Sequence, residues 1–477
     1  MSNRSQTARR GERGIVLVLY ALMMLFIIVP VVGLAIDAGI MYMIKGKLQT
    51  AVDGAALGAA RSLAANVILA DQESNAGAAG IANYHANFPN NWMGVTPVND
   101  PTVYWGNSTA STAVVQVTGT VAAPTWFMRL LGFNSVNVSA TSTATRRNLN
   151  VILVVDRSES LQDEMNCPIL KADAESFVTS SFVEGRDQVG LVTFGTSYNY
   201  DFPLNTTFKT ALTTDLSNLT CTGFTNAAAG FTTGFNALLA NTTNNQFALN
   251  VIVFFTDGEP NTMTFGVGGT SPLTVKSGSG CTPTTAFSGV IAGDVTYGVW
   301  GGVYKWTNSG IPVSSDFTLV PTPTGCSFDS GTNPTNGTAK FGTDIAQLPS
   351  TDAFGDALTT TWATNGSFPY SVSLTGSSWY TLQNLENAGI NALDNAAQNA
   401  RVAAAAANMP YVVYTIGLNP TVYGTVNQAL LQRMANDPAS PVYSSTYTPG
   451  KFYYVPSSGQ LSQAFAAIAS DILRIAQ

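Results

Sequence analysis

Residues 150–160 read Asn-Val-Ile-Leu-Val-Val-Asp-Arg-Ser-Glu-Ser, an uninterrupted apolar run that ends in one carboxylate and two hydroxyls. The five consecutive apolar residues 151–155 are typical of a strand that is covered on both faces, as in a parallel sheet. A second apolar run, residues 251–255, ends in Thr-Asp-Gly. Because open α/β sheets bind ligands at the carboxyl ends of their strands, Asp156 and Asp257 indicate a cation site at one edge of a sheet.

The composition limits the partners and the chemistry of this chain. With 477 residues it is too long for one ordinary domain, so we expect two or three folded units and an anchor. Charged residues make up only 10% and the net charge is −7, which argues against a nucleic-acid partner because phosphate binding needs clustered Lys and Arg. The single histidine, His85, has no His or Cys near it in sequence, and we interpret it as structural or solvated.

The N-terminal region contains a candidate membrane span. Residues 15–36 carry no charge and are long enough as a helix to cross a bilayer. Three arginines between residues 9 and 13 precede this run and Asp37 follows it, so the positive-inside rule places residues 1–14 in the cytoplasm and the rest outside. A cleaved secretory signal is the alternative. The run is longer than the apolar core of a signal, and no clear A-x-A cleavage site follows it.

Residues 37–148 are predicted to form a small, membrane-proximal α+β region. The helical pattern continues over residues 38–65, and its small residues at four-residue spacing suit close approach to another helix or packing against their own domain. The sequence leaves both alternatives open. The other elements predicted here are a helix at 75–87, strands at 102–105, 114–121 and 136–144, and a short apolar helix at 125–131.

From residue 149 onwards, strands alternate with helices, which is typical of a parallel α/β sheet. Strands are predicted at 151–155, 189–194, 251–255, 411–416 and 452–455. Helices are predicted at 169–182, from about Asn226, at 382–408, around 430–434, and after a cap at Ser457 and Ser458. Residues 262–380 are rich in Gly, Thr, Ser and Pro, interrupt this order, and are predicted to be an insertion.

Polar residues near the ends of the two buried strands resemble the metal-ion-dependent adhesion site of von Willebrand factor A domains. The matching residues are Asp156-x-Ser158-x-Ser160, then Thr225 just before a helix, and Asp257 at the end of the next buried strand. The resemblance implies a Rossmann-like, mostly parallel six-stranded sheet built from residues 149–261 and 381–477, with helices on both faces. Residues 198–203 are the candidate for its antiparallel edge strand.

The same resemblance implies a ligand set. Ser158, Ser160 and Thr225 would bind a divalent cation directly, and Asp156 and Asp257 would act mainly through water. Hydroxyl and carboxylate oxygens suit Mg²⁺, with Mn²⁺ or Ca²⁺ as further possibilities. In this family an acidic side chain of a partner protein completes the coordination. The alternative is that the five residues are ordinary capping residues at strand ends.

The N-terminal part of the chain resembles the TadG-like family of Tad (Flp) pilus assembly proteins. The matching residues are Arg10-Gly-Glu-Arg-Gly14, Asp37 after the span, and Leu-Gln-x-Ala-x-Asp-Gly-Ala-Ala at 48–56. This resemblance implies a non-enzymatic, membrane-anchored adhesion or assembly module on the periplasmic or cell-surface side, with pilus or secretion components as partners. The alternative is a minor pilin-like subunit whose metal site is incidental. Pilin precursors of this system carry Glu at the fifth position after the processed Gly, whereas this chain has Leu19, which favours a retained anchor.

A hydrolase that uses Asp156 and Asp257 is a third interpretation. General-base catalysis would need a perturbed acid close to a nucleophile or to a second metal, and nothing in the sequence supplies either.

The four cysteines are even in number and none forms a CxxC pair, which outside the cytoplasm favours two disulfides over a metal cluster. Three pairings are possible. We favour Cys167 with Cys221, because one follows the first metal loop and the other precedes the loop threonine. Cys281 with Cys326 would then brace the insertion.

Overall fold

The computed structural model describes residues 9–65, 69–105, 112–241, 248–266, 270–274, 288–294, 299–306, 317–319, 347–376, 381–422 and 425–475. The chain divides into two compact units, the first of which ends at Arg146 and the second of which begins at Arg147.

The first unit begins with one long helix. Helix α1 (Arg9–Met23) and helix α2 (Val29–Ala65) are joined by a π-helical turn (Met24–Ile28), so the predicted span and the predicted helix that follows it are continuous. The stretch Val16–Ser62 contains a segment that is long and apolar enough to cross a membrane. Other parts of the protein bury almost none of that segment. The exposed apolar surface is what a membrane-spanning helix presents to lipid.

A helix and a three-stranded sheet pack against the second half of α2. They are α3 (Leu69–Asn87), β1 (Thr102–Trp105), β2 (Thr112–Pro124) and β3 (Ser135–Arg147), and the sheet order is β1-β2-β3. Ala51, Ala55 and Ala59 are buried in the core that α2 shares with α3 and β2. A Cβ atom at Gly80 of α3 would lie 3.3 Å from the Ala59 side chain. The two alternatives for the small residues of α2 therefore combine, because these residues allow the close approach of another helix, α3, within the core of their own unit.

The apolar helix predicted at 125–131 is present only as a single short turn. The structure has a short 3₁₀ turn (Met128–Leu131) at the tip of the β2–β3 hairpin, with no buried residue in that turn. The connection between the two strands is too short for several helical turns, and the Asp37 carboxylate accepts hydrogen bonds from the backbone N–H groups of residues 126–128.

The second unit is built on a six-stranded sheet. Its strands are β4 (Leu149–Asp156), β5 (Gln188–Phe194), β6 (Tyr198–Asn205), β7 (Leu249–Thr256), β12 (Tyr411–Leu418) and β13 (Lys451–Val455). The order is β13-β12-β7-β4-β5-β6, and every pair is parallel except β5–β6. The predicted fold class and the predicted antiparallel edge strand are confirmed.

Helices cover both faces of this sheet. Its central strands are therefore buried along their whole length. The helices of the unit are α4 (Glu159–Asp163), α5 (Cys167–Ser181), α6 (Lys209–Asn218), α7 (Ala227–Ala240), α8 (Leu382–Ala406), α9 (Gln428–Ala435) and α10 (Leu461–Ile475). Helices α7 and α8 contribute to the core on one face, and α5 and α10 to the core on the other. The predicted apolar stripe of α10, which includes Phe465 and Ile472, is buried.

Three local features differ from the sequence-based expectation. Helices α4 and α6 were not predicted, because α4 has only 5 residues and α6 offers only Leu212 and Leu216 to the core. The hydroxyl of Ser457 makes no cap hydrogen bond; instead the Ser457 carbonyl oxygen accepts from the backbone N–H of Gln460 and starts a 3₁₀ turn that leads into α10.

The insertion begins with a second sheet. It contains β8 (Thr262–Phe265), β9 (Gly289–Asp294), β10 (Val299–Trp306) and β11 (Phe317–Leu319) in the order β11-β10-β9-β8. Cys281 and Cys326, which were predicted to pair, lie outside the described residues.

Asparagine side chains of α8 hold the irregular segment 347–376. Asn391 donates to the carbonyl oxygens of Leu358 and Tyr370 and accepts from the backbone N–H of Tyr370. One turn later, Asn395 donates to the carbonyl oxygens of Ala357 and Thr360. Because buried backbone polar groups need partners, these side chains take the place of a neighbouring strand.

A buried ion pair ties α9 to α8. Arg433 forms a bidentate pair with Asp394, with Nη2–Oδ2 and Nε–Oδ1 distances of 2.6 and 2.8 Å. The guanidinium also lies 4.1 Å from the ring centroid of Phe368 and donates to the carbonyl oxygen of Ala363, both in the insertion. One cation therefore links two helices to the segment that covers them.

Replacing Arg433 by Met is expected to lower the free energy of unfolding by about 3–5 kcal/mol, because Asp394 would stay buried without its counter-charge. Adding Asp394→Leu should recover most of this loss. As a control, Arg474→Met removes the exposed partner of Asp471 and should cost less than about 1 kcal/mol. Urea unfolding of the detergent-solubilised chain, followed by tryptophan fluorescence, measures all three. Equal losses for Arg433→Met and Arg474→Met would contradict the prediction.

Candidate metal centre

Two aspartates lie at the carboxyl ends of the neighbouring parallel strands β4 and β7. Asp156 is the last residue of β4 and Asp257 directly follows β7, and both are fully buried. The chain turns sharply after Asp156, where the backbone N–H of Ser158 donates to Asp156 Oδ1 at 2.8 Å. The parallel sheet therefore brings the two carboxylates to one edge, as the sequence predicted.

Ser158 and Ser160, in the segment 157–160 that we call the serine loop, both point towards Asp257. Ser160 Oγ donates to Asp257 Oδ1 at 2.9 Å, and the Ser158 and Ser160 hydroxyl oxygens are 3.0 Å apart. Ser158 Oγ is 3.5 Å from Asp257 Oδ1. Hydrogen bonds thus join four of the five predicted ligands, Asp156, Ser158, Ser160 and Asp257, in one cluster.

The fifth predicted ligand, Thr225, is held on the adjoining loop. Its backbone N–H donates to Asn261 Oδ1 at 2.7 Å, and its carbonyl oxygen accepts from the backbone N–H of Asn261 at 3.1 Å. Two residues earlier, the Gly223 carbonyl oxygen accepts from the backbone N–H of Glu159 at 2.9 Å. Thr225 is therefore fixed between the serine loop and the segment that follows Asp257.

Burial of two acids so close together perturbs both. Burial raises the pKa of Asp156 to about 6, against the opposing effect of its hydrogen bonds with Thr256 and Ser158. Burial, and then the charge of Asp156, raises the pKa of Asp257 well above its usual range. The two carboxylates resist joint ionisation in this site unless a positive charge compensates them.

One atom of this cluster lacks a protein partner. Asp257 Oδ2 is buried and has no hydrogen-bond partner among the described residues. A buried carboxylate oxygen is normally hydrogen-bonded or bound to a metal. The surrounding donors are hydroxyl and carboxylate oxygens, which are the ligands of a hard divalent cation. The residues present therefore fit the cation that the sequence predicts.

Two residues that the sequence did not single out position this cluster, and a third lies close to it. Thr256 Oγ1 donates to Asp156 Oδ2 at 2.6 Å, and Asn261 orients the loop of Thr225. Glu164 accepts from the backbone N–H groups of Thr421 and Val422, each at 2.8 Å, and so ties the loop after β12 to the end of α4. Thr256 could have been recognised in the sequence because it ends an apolar strand, whereas no sequence pattern indicates the contacts of Asn261 and Glu164.

A disulfide links the chain beyond the two predicted serine ligands to the segment before Thr225. Cys167, the first residue of α5, is bonded to Cys221, with their Cα atoms 6.2 Å apart. This confirms the favoured pairing. The two cysteines are 54 residues apart in the sequence, so the bond connects the start of α5 with the segment before Thr225.

The insertion sheet adjoins the same edge. Asn226 donates to Thr264 Oγ1 of β8 at 2.8 Å, and Gly293 of β9 donates its backbone N–H to the carbonyl oxygen of Asn261 at 3.0 Å. Helix α8 supports the segment that leads there, because Gly389 lets it approach the backbone; a Cβ atom at Gly389 would lie 2.9 Å from the Pro260 carbonyl oxygen.

Three family models match parts of this chain. Residues 151–259 match the von Willebrand factor type A domain. Residues 14–62 match the TadE/G-like Flp pilus-assembly family, and residues 48–144 match a Tad-like Flp pilus-assembly family. The first match covers four strands of the large sheet and all five predicted ligands, and the other two cover most of the first unit.

Three of the solved structures that match this chain are of pilus proteins from bacteria. The von Willebrand factor domain of the type V pili tip protein Mfa5 from Porphyromonas gingivalis is 16% identical, with 70% of this chain and 98% of that chain covered and a TM-score of 0.37. The PilB minor pilin from Streptococcus sanguinis is 14% identical, with 79% of each chain covered and a TM-score of 0.37. The pilus adhesin SpaC from Lactobacillus rhamnosus GG is 14% identical, with 79% of this chain and 34% of that chain covered and a TM-score of 0.36. None of the curated proteins matches this chain.

Adding Mg²⁺ to the metal-free chain is expected to raise its thermal stability, because a cation would compensate the two buried carboxylates. At a Mg²⁺ concentration 100-fold above the dissociation constant, the gain is about 2.7 kcal/mol. The Ser160→Ala and Asp257→Asn variants should lose most of the gain, while Ser180→Ala, a helix-surface serine bonded to its own helix, should keep it. Differential scanning fluorimetry with and without EDTA measures the shift. An equal shift in wild type and Asp257→Asn would contradict the prediction.

Proposed function

We propose that this chain, a TadG-like protein with a von Willebrand factor A domain, is a non-enzymatic protein-binding module of a Tad-type pilus or secretion system. Its N-terminal helix anchors it in the membrane. Its metal centre takes an acidic side chain of a partner protein, so that binding depends on a divalent cation, with Mg²⁺ as the first choice.

The buried Asp257 Oδ2, which has no hydrogen-bond partner in the part of the chain that the structure describes, carries this proposal. Ser158, Ser160 and Thr225 are the direct ligands, and Asp156 and Asp257 act mainly through water. The cation, when bound, supplies an electrophilic centre with an open position. Because the three direct ligands are neutral hydroxyls and the two carboxylates act through water, the cation stays electrophilic at its open position, and an external carboxylate is the complementary group.

The protein groups around the ligands favour docking over catalysis. Thr256 and Asn261 hold Asp156 and the loop of Thr225 in place, and the disulfide between Cys167 and Cys221 fixes the two loops relative to each other. A pre-organised surface of this kind reduces the conformational entropy that binding costs. The single histidine, His85, is paired with Asp100 in the first unit, with an Nε2–Oδ1 distance of 2.6 Å.

The orientation in the membrane is part of the proposal. The arginines between residues 9 and 13 precede the span, and the positive-inside rule places them in the cytoplasm. The disulfide of the second unit agrees with this direction, because disulfides persist in oxidising compartments outside the cytoplasm. Both observations support a metal centre on the periplasmic or cell-surface side.

Replacing Thr225 by Ala is expected to lower the yield of co-purifying pilus or secretion components at least tenfold, equivalent to about 1.4 kcal/mol of binding free energy. EDTA treatment of wild type should give the same loss, and added Mg²⁺ should restore binding to wild type only. Thr213→Ala is the control, because its hydroxyl bonds to the backbone of its own helix, α6. The measurement is quantitative affinity purification from solubilised membranes.

Two results would count against the proposal. Partners retained by Thr225→Ala and in EDTA would remove the metal from the binding mechanism. Recovery of the chain in sheared filaments, with none left in the membrane fraction, would favour a minor pilin-like subunit instead.

A further inference from the structure

The tip of the β2–β3 hairpin, residues 125–134, exposes a concentration of large apolar side chains. Trp126 is 67% exposed, Leu130 84%, Leu131 71% and Phe133 57%. Soluble surfaces carry such side chains singly, whereas a contiguous group of them marks a contact with a partner or with lipid. None of these four side chains belongs to the described core of the first unit.

The hairpin tip rests on the candidate membrane span. Between residues 16 and 39, Gly33 and Asp37 are the only buried residues whose side chains the structure describes. The side chain of Phe127 fills the space at Gly33, where a Cβ atom would lie 2.6 Å from it. Gly33 lies inside the uncharged run 15–36, so Phe127 is packed against a residue of the span itself.

Asp37 attaches the backbone of the tip to the same helix. Its carboxylate accepts from the backbone N–H groups of Trp126 at 2.9 Å, Phe127 at 3.0 Å and Met128 at 2.7 Å. Gly33 and Asp37 are one helical turn apart, which corresponds to about 6 Å along the helix axis. The tip therefore runs alongside the last turn of the span. The backbone N–H groups of residues 126–128 therefore have an acceptor, as a non-helical backbone near lipid requires.

We propose that residues 125–134 form a second membrane contact, a hairpin that inserts its apolar tip into the bilayer interface beside the span. The occupant of this surface is lipid, because the patch is continuous with a helix surface that itself suits lipid. Tryptophan and phenylalanine are suited to the interface, where aromatic residues of membrane proteins concentrate. Arg129 is exposed on the same turn and can place its guanidinium among lipid phosphates.

This contact goes beyond the proposed function, which requires only the span. A single helix leaves the first unit free to rotate and tilt at the membrane, whereas a helix and a hairpin fixed to each other define its orientation. The carboxylate of Asp37 is the positioning group for the hairpin.

Tryptophan quenching tests this inference on the full chain in carbonate-washed phosphatidylcholine vesicles whose acyl chains are brominated near the headgroup. We expect brominated lipid to quench part of the emission and Trp126→Phe to remove most of that quenchable part. Trp105→Phe, which removes a partly buried tryptophan of the same unit, should leave it unchanged.

A second pair of variants tests the positioning role of Asp37. Asp37→Ala should reduce lipid quenching of Trp126 at least twofold and increase its quenching by aqueous acrylamide, because the tip is released from the helix. Asp53→Ala removes an exposed acid of the same helix and should change neither.

Quenching of Trp126 by acrylamide alone in the wild-type chain would overturn the inference, since the tip would then face water. Protection of Trp126 from both quenchers would also overturn it and would assign the patch to a protein contact.

Discussion

Two carboxylates buried side by side are the constraint on which the second unit depends. Asp156 and Asp257 end on neighbouring parallel strands, so the register of β4 and β7 fixes their separation. Burial of both is costly unless each oxygen has a partner. Three of the four oxygens have one, from Thr256, from the backbone of Ser158 and from the hydroxyl of Ser160. The protein thus compensates the pair incompletely, and the proposed cation would supply the remainder.

The surroundings of the pair keep this arrangement rigid. The serine loop and the loop of Thr225 are joined by a backbone hydrogen bond and by the disulfide between Cys167 and Cys221. On the other side, Asn261 connects the loop of Thr225 to the first strand pair of the insertion. These links converge on one edge of the sheet, so the insertion and the loop of Thr225 are held next to the carboxylates.

The sequence determined the fold where one physical signal dominates and failed where several compete. Buried parallel strands need continuous apolar runs, so β4, β7 and β12 were predicted within two residues at each end. The irregular segment 347–376 has no such period, and its structure comes from the asparagines of α8, whose spacing is helical but whose partners are distant in sequence. The clustering of Asp156, Ser158, Ser160 and Asp257 was predictable because each of them ends or follows a recognisable strand. Glu164 was not, because its role depends on a loop more than 250 residues away.

Buried aspartates also show why the residue type alone does not identify a site. Asp37 and Asp257 are both buried, and each follows an apolar run of its own element. Both oxygens of Asp37 accept backbone N–H groups of residues 126–128, so its charge is solvated by the protein and its role is to hold a hairpin. Asp257 has one oxygen bonded to Ser160 and one without a partner among the described residues. Completeness of hydrogen bonding, which no sequence pattern displays, is what separates a carboxylate that positions the chain from one that can accept a ligand from outside.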